Sequence, residues 1–153
     1  MHIQPFSIEE ATLKDLGSLR QVEKECFGKD AWPLIDLIGV LMFPGIIRLK
    51  ALAGDEMAGF VSGDGSRNGR VSWITTIGVR TKFRQQGIGR MLLTACEDRM
   101  TTPLIQLTVR KSNLGAIHMY LEAGYHQIEL WERYYQDGES GIVMQKAHQN
   151  SQG

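Results

Sequence analysis

Between residues 71 and 100 the chain passes from a run of branched and aromatic residues into a glycine-bearing turn and then into an amphipathic stretch, an order that few folds accept. The run VSWITTIGV at residues 71–79 has the composition of a strand. Arg84-Gln85-Gln86-Gly87-Ile88-Gly89 follows it and opens a helix from Gly87 to about Met100, in which Ile88, Met91, Leu92, Ala95 and Cys96 form one broad stripe suited to packing on a sheet. Two glycines let the backbone turn tightly and come close to a ligand, and the free N–H groups of a helix start can hold phosphate oxygens. Arg80, Lys82, Arg84 and Arg90 add local positive charge. The pattern fits a pyrophosphate cradle; a solvated basic loop whose glycines serve only the turn is the plainer alternative. Neither GxxxxGK[ST] nor GxGxxG occurs, so an ordinary ATP or NAD site loses ground.

A chain of 153 residues with 42% hydrophobic content is about one domain with a sizeable core. A strand is expected at Phe6–Glu9. Thr12 then caps a helix with Leu16, Leu19, Val22 and Cys26 on its apolar face, ending near Phe27 or Gly28. A second short helix runs from Leu34 to about Met42 and Pro44-Gly45 stops it. Strands at 46–53 and 57–63 flank a Gly54-Asp55 hairpin turn, and the loop DGSRNG leads to the strand at 71–79. Strand 104–109, helix 114–123 ended by Gly124, and strands 126–134 and 140–146 complete the domain over residues 1–147, with 148–153 read as a flexible tail.

Seventeen basic and seventeen acidic residues cancel, so bulk charge does not favour nucleic acid or an anionic membrane. Weak colloidal repulsion at zero net charge leaves monomer and homodimer both open. No stretch approaches the roughly 18 apolar residues of a membrane span. Cys26 and Cys96 lack metal-type spacing and fall in helix-like apolar patterns, which suits a reduced, cytoplasmic chain. No metal site is expected.

The segment IGVRTKFRQQGIGRMLL at residues 77–93 resembles the coenzyme A motif of the GNAT superfamily of N-acetyltransferases, [Q/R]xxGx[G/A], with Arg84, Gly87 and Gly89 at its defined positions and Gln85 and Gln86 at its variable ones. LTVRKSNLGAIHMYLEAGY at residues 107–125 resembles the family's later strand–helix motif. The resemblance implies a single-domain α/β acyl-CoA N-acyltransferase fold: a mixed, mostly antiparallel sheet flanked by helices, with central strands splayed at the cofactor. It implies acetyl-CoA as acetyl donor. The backbones of Ile77 and Val79 would meet the pantetheine arm, and those of Gln85, Gln86, Gly87, Ile88, Gly89 and Arg90 the pyrophosphate. Asn113 and Ala116 would lie beside the cofactor, and Tyr120 would face the thioester sulfur.

A phenolic hydroxyl at Tyr120 can donate to a departing thiolate, which thioester aminolysis requires. A core-filling tyrosine, four residues after Ala116 on the same helix face, is the structural alternative. Asn113 has the position of a helix cap, which is compatible with touching the cofactor. N-terminal acetyltransferases often carry Glu or His two residues before the final Gln or Arg of the preceding strand, but here that residue is Thr108. An α-amine, with a reference pKa of about 7.7–8.0, is partly neutral near pH 7, so a water relay can suffice. No base is assigned: His118 and His126 read as surface or structural groups, and Glu23, Glu25 and Glu132 as solvated ones. ECFGKDAWP at residues 25–33 resembles the first substrate loop of ribosomal-protein alanine acetyltransferases, with Phe27 and Trp32 as candidates, although Trp32-Pro33 reverses the usual order. ERYYQDGESGIVM resembles their tyrosine-bearing hairpin, where Tyr134 and Tyr135 would enclose a peptide end; Trp73 is a further candidate for the substrate wall. The acceptor implied is a protein or peptide N-terminus, with a small-molecule amine as the alternative and a catalytically weak acyl-CoA-binding regulator as a third reading.

Overall fold

The computed structural model describes residues 5–65 and 69–148. Seven strands form one sheet: β1 (Phe6–Glu10), β2 (Ile46–Ala53), β3 (Glu56–Asp64), β4 (Val71–Val79), β5 (Leu104–Arg110), β6 (His126–Trp131) and β7 (Gly141–Ala147), in the order β1-β2-β3-β4-β5-β7-β6. Every neighbouring pair is antiparallel except β4 and β5. Helices α1 (Leu16–Phe27) and α2 (Leu34–Met42) cover one face, where Leu19, Val22, Leu37, Val40 and Leu41 pack on Met57 and Phe60. Helices α3 (Ile88–Glu97) and α4 (Leu114–Glu122) cover the other, where Ile88, Leu92, Leu93 and Tyr120 join Leu49, Val61 and Ile105. This is the mixed, mostly antiparallel sheet flanked by helices that the motifs imply.

Two features open the sheet at its centre. The parallel pairing of β4 with β5 covers only Val71–Trp73 against Leu104–Gln106, after which β5 continues to pair with β7 alone. On its other edge β4 carries a bulge: Ser62 pairs with Thr76 but Gly63 with Ile74, so Thr75 is the extra residue, its hydroxyl 2.7 Å from that of Ser62. Such a bulge bends a strand and raises its twist. Past the bulge, Thr76 and Gly78 face α1, while Ile77 and Val79 join the core under α3 and α4.

Three boundaries differ from the sequence expectation by more than one residue. Thr12 begins a 3-10 turn at Leu13–Asp15 that feeds α1, its N–H donating to Asp15 Oδ2 at 2.8 Å. The α3 helix ends at Glu97 because the last turn tightens: the N–H groups of Arg99 and Met100 reach back three residues, to Cys96 and Glu97. β6 stops at Trp131, and Arg133, at φ 54°, turns the chain away from the ladder. His148 is anchored, its N–H to Pro103 O at 2.8 Å and its ring to Met100 O at 2.9 Å; the rest of the expected tail, 149–153, and residues 66–68 of the DGSRNG loop lie outside the described residues. Among the described residues no helix is long and apolar enough to cross a membrane.

Candidate active site

The splay between β4 and β5 holds a cleft of about 200 Å³. Thr76 and Ile77 form its β4 wall, Thr108 and Arg110 its β5 wall, and Asn113, Ala116 and Tyr120 project from α4. Phe27, Asp30 and Trp32 approach from the end of α1 and the loop after it, and Tyr135 from the β6–β7 connection. The structure thus brings seven sequence-named residues to one opening: Ile77, Asn113, Ala116, Tyr120, Phe27, Trp32 and Tyr135. Trp73 and Tyr134 do not line it. Trp73 stacks on Trp131 at 6.2 Å, and Trp131 meets Tyr134 at 5.1 Å, so both belong to an aromatic row that continues to Tyr135.

Tyr120 is 5% exposed, and its hydroxyl makes no hydrogen bond to another described residue. Burial, aided by the neighbouring Tyr135, pushes its pKa above the usual phenol value. It therefore stays protonated and keeps a free donor facing the cleft. Its ring is held edge-on against Tyr125 at 5.9 Å, and the Tyr125 hydroxyl is fixed by a 2.7 Å bond to Glu97 Oε2. Asn113 caps α4, Oδ1 accepting from the Ala116 N–H at 3.3 Å, and still contributes to the cleft wall.

Where β4 gives way to α3, Gln85 and Gly87 adopt left-handed conformations, φ 64° and 83°. Among the described residues no acceptor takes the backbone N–H groups from Gln85 to Arg90, since the first donor after the turn is Met91, bonded to Gly87 O at 3.0 Å. Successive unpaired N–H groups at a helix start form an anion-binding concavity. The side chains contribute less charge than the sequence suggests. Arg80 is engaged by Glu25 at 3.2 Å and Glu56 at 2.8 Å, Lys82 pairs with Glu56 at 2.8 Å, and Arg84 turns back so that Nε donates to Val79 O at 2.9 Å. The Val79 carbonyl also accepts from Cys26 Sγ at 3.4 Å. Ile88 is buried in the core, so it can offer this concavity only its backbone.

Sequence reasoning missed Arg110 and misread Glu23. Arg110 bridges the loop after α1 and the β6–β7 connection, with Nε 2.6 Å from Asp30 Oδ2, Nη1 2.7 Å from Glu139 and 3.0 Å from Asp137, and its guanidinium 4.2 Å from the Tyr135 ring centre. Lys29 adds a 2.7 Å pair to Asp137. No local pattern signals this, because its partners lie up to 80 residues away. Glu23, read from the sequence as solvated, is instead 2% exposed, and accepts from the Trp32 N–H at 3.2 Å and from the Thr76 hydroxyl at 3.1 Å. Its signal was its place among Leu16, Leu19 and Cys26 at helical spacing. The other candidates for a base are elsewhere: His118 is 75% exposed beside Glu122, Glu25 is held by Arg80 and the Thr81 N–H, and His126 and Glu132 are exposed. Burial raises the pKa of both thiols, that of Cys96 to about 12, so neither is poised as a nucleophile.

Residues 18–125 match the Acetyltransferase (GNAT) family. An uncharacterized N-acetyltransferase of Methanocaldococcus jannaschii is 30% identical over 151 residues, which is 95% of this chain and 94% of that protein. The N-alpha-acetyltransferase RimI of Mycobacterium tuberculosis is 30% identical over 137 residues, 86% of this chain and 85% of its own. The crystal structure of the ribosomal-protein-S18-alanine N-acetyltransferase from Escherichia coli superposes with a TM-score of 0.84 at 21% identity, covering 94% of each chain.

Proposed function

The chain belongs to the acetyltransferase (GNAT) family, and from that membership we propose that it transfers the acetyl group of acetyl-CoA to the N-terminal α-amine of a protein or peptide. The observation that carries this reading is the aromatic slot at the acceptor end of the cleft. Trp32 and Tyr135 line it from two different loops, and Arg110 ties those loops together through Asp30, Asp137 and Glu139. A slot lined by aromatic rings beside polar groups suits an extended chain end whose backbone meets polar groups while rings limit the side chain. Similarity to an N-alpha-acetyltransferase supports the same acceptor class. Two unpaired thiols are consistent with a reducing, cytoplasmic setting.

The N–H groups of Gln85–Arg90 fit the pyrophosphate, and the cleft between Ile77 and Ala116 fits the pantetheine arm. Bound there, acetyl-CoA supplies the thioester carbonyl that a neutral amine attacks. Tyr120 holds its proton at the inner end of the cleft and donates toward the departing sulfur. Trp32 and Tyr135 exclude water and orient the nitrogen.

The test is acetyl-CoA-dependent thiol release against peptides of varied N-terminal residue, beside polyamines, amino sugars and free lysine, for the wild type and Tyr120→Phe. Peptide-dependent release that falls at least tenfold in the variant is the expected result. Robust turnover of small amines with none of peptides would move the acceptor to that class. Acetyl-CoA binding without turnover of any amine would favour a binding role.

A further inference from the structure

We propose that Thr76 takes the proton released by the attacking amine and passes its own to Glu23, which is the buried proton acceptor standing in for the acidic side chain missing at Thr108. The inference rests on the acetyl-transfer reading and adds to it the route of the proton. It starts from an anomaly: a carboxyl group 2% exposed, with no cation within ion-pairing distance among the described residues. Each of its oxygens meets a group from a different element, Oε1 the Trp32 N–H and Oε2 the Thr76 hydroxyl. A buried carboxylate with only two neutral donors is expensive to keep unless the charge has a use.

Thr76 connects that carboxylate to the chemistry. Its side chain faces α1 on the acceptor side, and the residue lines the same cleft as Tyr120, which enters from α4 beneath the opposite face. Because the hydroxyl hydrogen points to Glu23, the remaining lone pairs of Oγ1 are acceptors, and a nitrogen in the cleft can donate to them. When the C–N bond forms and the C–S bond breaks, one N–H proton moves to Thr76 Oγ1 as the Thr76 proton moves to Glu23 Oε2. The thiolate takes a proton from Tyr120, and the proton on Glu23 returns to the phenolate through water. The sum is one proton carried from nitrogen to sulfur. Thr108, on the facing strand, offers a hydroxyl but no basic group.

The surroundings of Glu23 agree with this role. Burial raises its pKa above the ordinary carboxyl value, and the two hydrogen bonds oppose that rise. One turn along α1 lie Cys26, itself held protonated by burial, and, in the other direction, the exposed Arg20. On β4, Thr76 is neutral and Arg80 is engaged by Glu25 and Glu56; the loop after α1 presents only the Trp32 N–H. A raised carboxyl pKa places an acid limb on the rate: activity falls as pH drops through that pKa and Glu23 becomes protonated.

The experiment measures kcat against pH for wild type, Glu23→Gln, Thr76→Val and Thr76→Ser. The acceptor is a peptide whose N-terminal α-amine is replaced by an acyl hydrazide group (H2N–NH–CO–), so that the nucleophilic nitrogen stays neutral through most of the acid range, with the best small amine from the acceptor screen in parallel. Melting temperature and acetyl-CoA affinity by calorimetry are read for each protein. The expected result is a loss of about 10²-fold in kcat for Glu23→Gln and Thr76→Val, disappearance of the acid limb in both, unchanged acetyl-CoA affinity, and wild-type pH dependence in Thr76→Ser. A Glu23→Gln protein with the wild-type rate and limb would overturn the relay, as would a slow one that keeps the limb, since the carboxyl would then serve only to hold the Trp32 loop. Failure on peptides with turnover of the small amine removes the N-terminal reading and leaves the relay to be judged on that amine. Turnover of peptides with an indifferent Glu23→Gln does the reverse.

Discussion

Gly87→Ala isolates the backbone of the proposed phosphate cradle. A Cβ at residue 87 would meet nothing within 4 Å, so the substitution adds no clash, and its cost is the left-handed backbone, φ 83°. Holding an L-residue there costs about 1–2 kcal/mol, and alanine's smaller unfolded-state entropy returns roughly 0.5–1 kcal/mol. The net is about 1 kcal/mol. If the loop keeps its shape, that sum appears as a fall in Tm of about 2–4 °C for a chain of this size. If the loop relaxes instead, the N–H groups turn away and acetyl-CoA affinity drops about fivefold. Gln85, already at φ 64°, supplies the control of opposite sign: Gln85→Gly removes the same strain and is expected to raise Tm slightly without weakening binding. Thermal unfolding and calorimetric titration of the three proteins decide the matter. Gly87→Ala with both Tm and affinity unchanged, or Gln85→Gly as damaging as Gly87→Ala, would refute the reasoning.

Three further outcomes are expected. Asp137 and Glu139 have pKa values lowered chiefly by hydrogen bonds, from Lys29 and from Ser112 respectively, and then by Arg110. Depressed carboxyls stabilise above their ordinary pKa and lose that contribution as pH falls below about 4; Arg110→Met is therefore expected to flatten the acid and salt dependence of Tm, measured from pH 3 to 7. Glu23 works in the other direction, its raised pKa weakening the fold as pH climbs past 4.5, so Glu23→Gln is expected to melt higher than wild type at pH 7 and level with it near pH 4. Gly141→Ala would bring a Cβ to 2.9 Å from Thr108 Cγ2 and 3.1 Å from Tyr134 Cδ2, which forces the tyrosine loop outward. Its signature is an acceptor KM several-fold higher with acetyl-CoA affinity intact.

Local pattern carried much of this protein into view. The stripe Ile88–Cys96, the turn at Gly87 and the branched strand before it are consequences of period and backbone freedom, which act over a few residues and so can be read directly. Two motifs then brought the family within reach, and with it Tyr120, Asn113 and the N–H groups of Gln85–Arg90. What local pattern misjudged was charge and neighbourhood. Arg80 and Lys82 read as free cations because Glu25 and Glu56 lie some 24 to 55 residues upstream. Trp73 and Tyr134 read as substrate contacts, yet Trp131 draws them into a row beside the cleft.

Glu23 shows where the division falls. On its helix it shares a face with Leu16, Leu19 and Cys26, yet a glutamate there reads as solvated; that it points inward, and whether an inward carboxyl is a misfit or a functional group, depends on what waits there. The bulge at Thr75 decides it, by aiming Thr76 at α1, and the loop after α1 decides it again, by delivering the Trp32 N–H. Arg110 likewise becomes the tie between the loop after α1 and the β6–β7 connection only when β5 carries it between Asp30 and Glu139. Helix and strand periods, turn chemistry and the cradle depend on covalent neighbours and are written in the chain; the ion pairs of Lys29, Arg80 and Arg110 and the Glu23–Thr76 bond depend on segments 24 to 108 residues apart that meet only in the folded sheet.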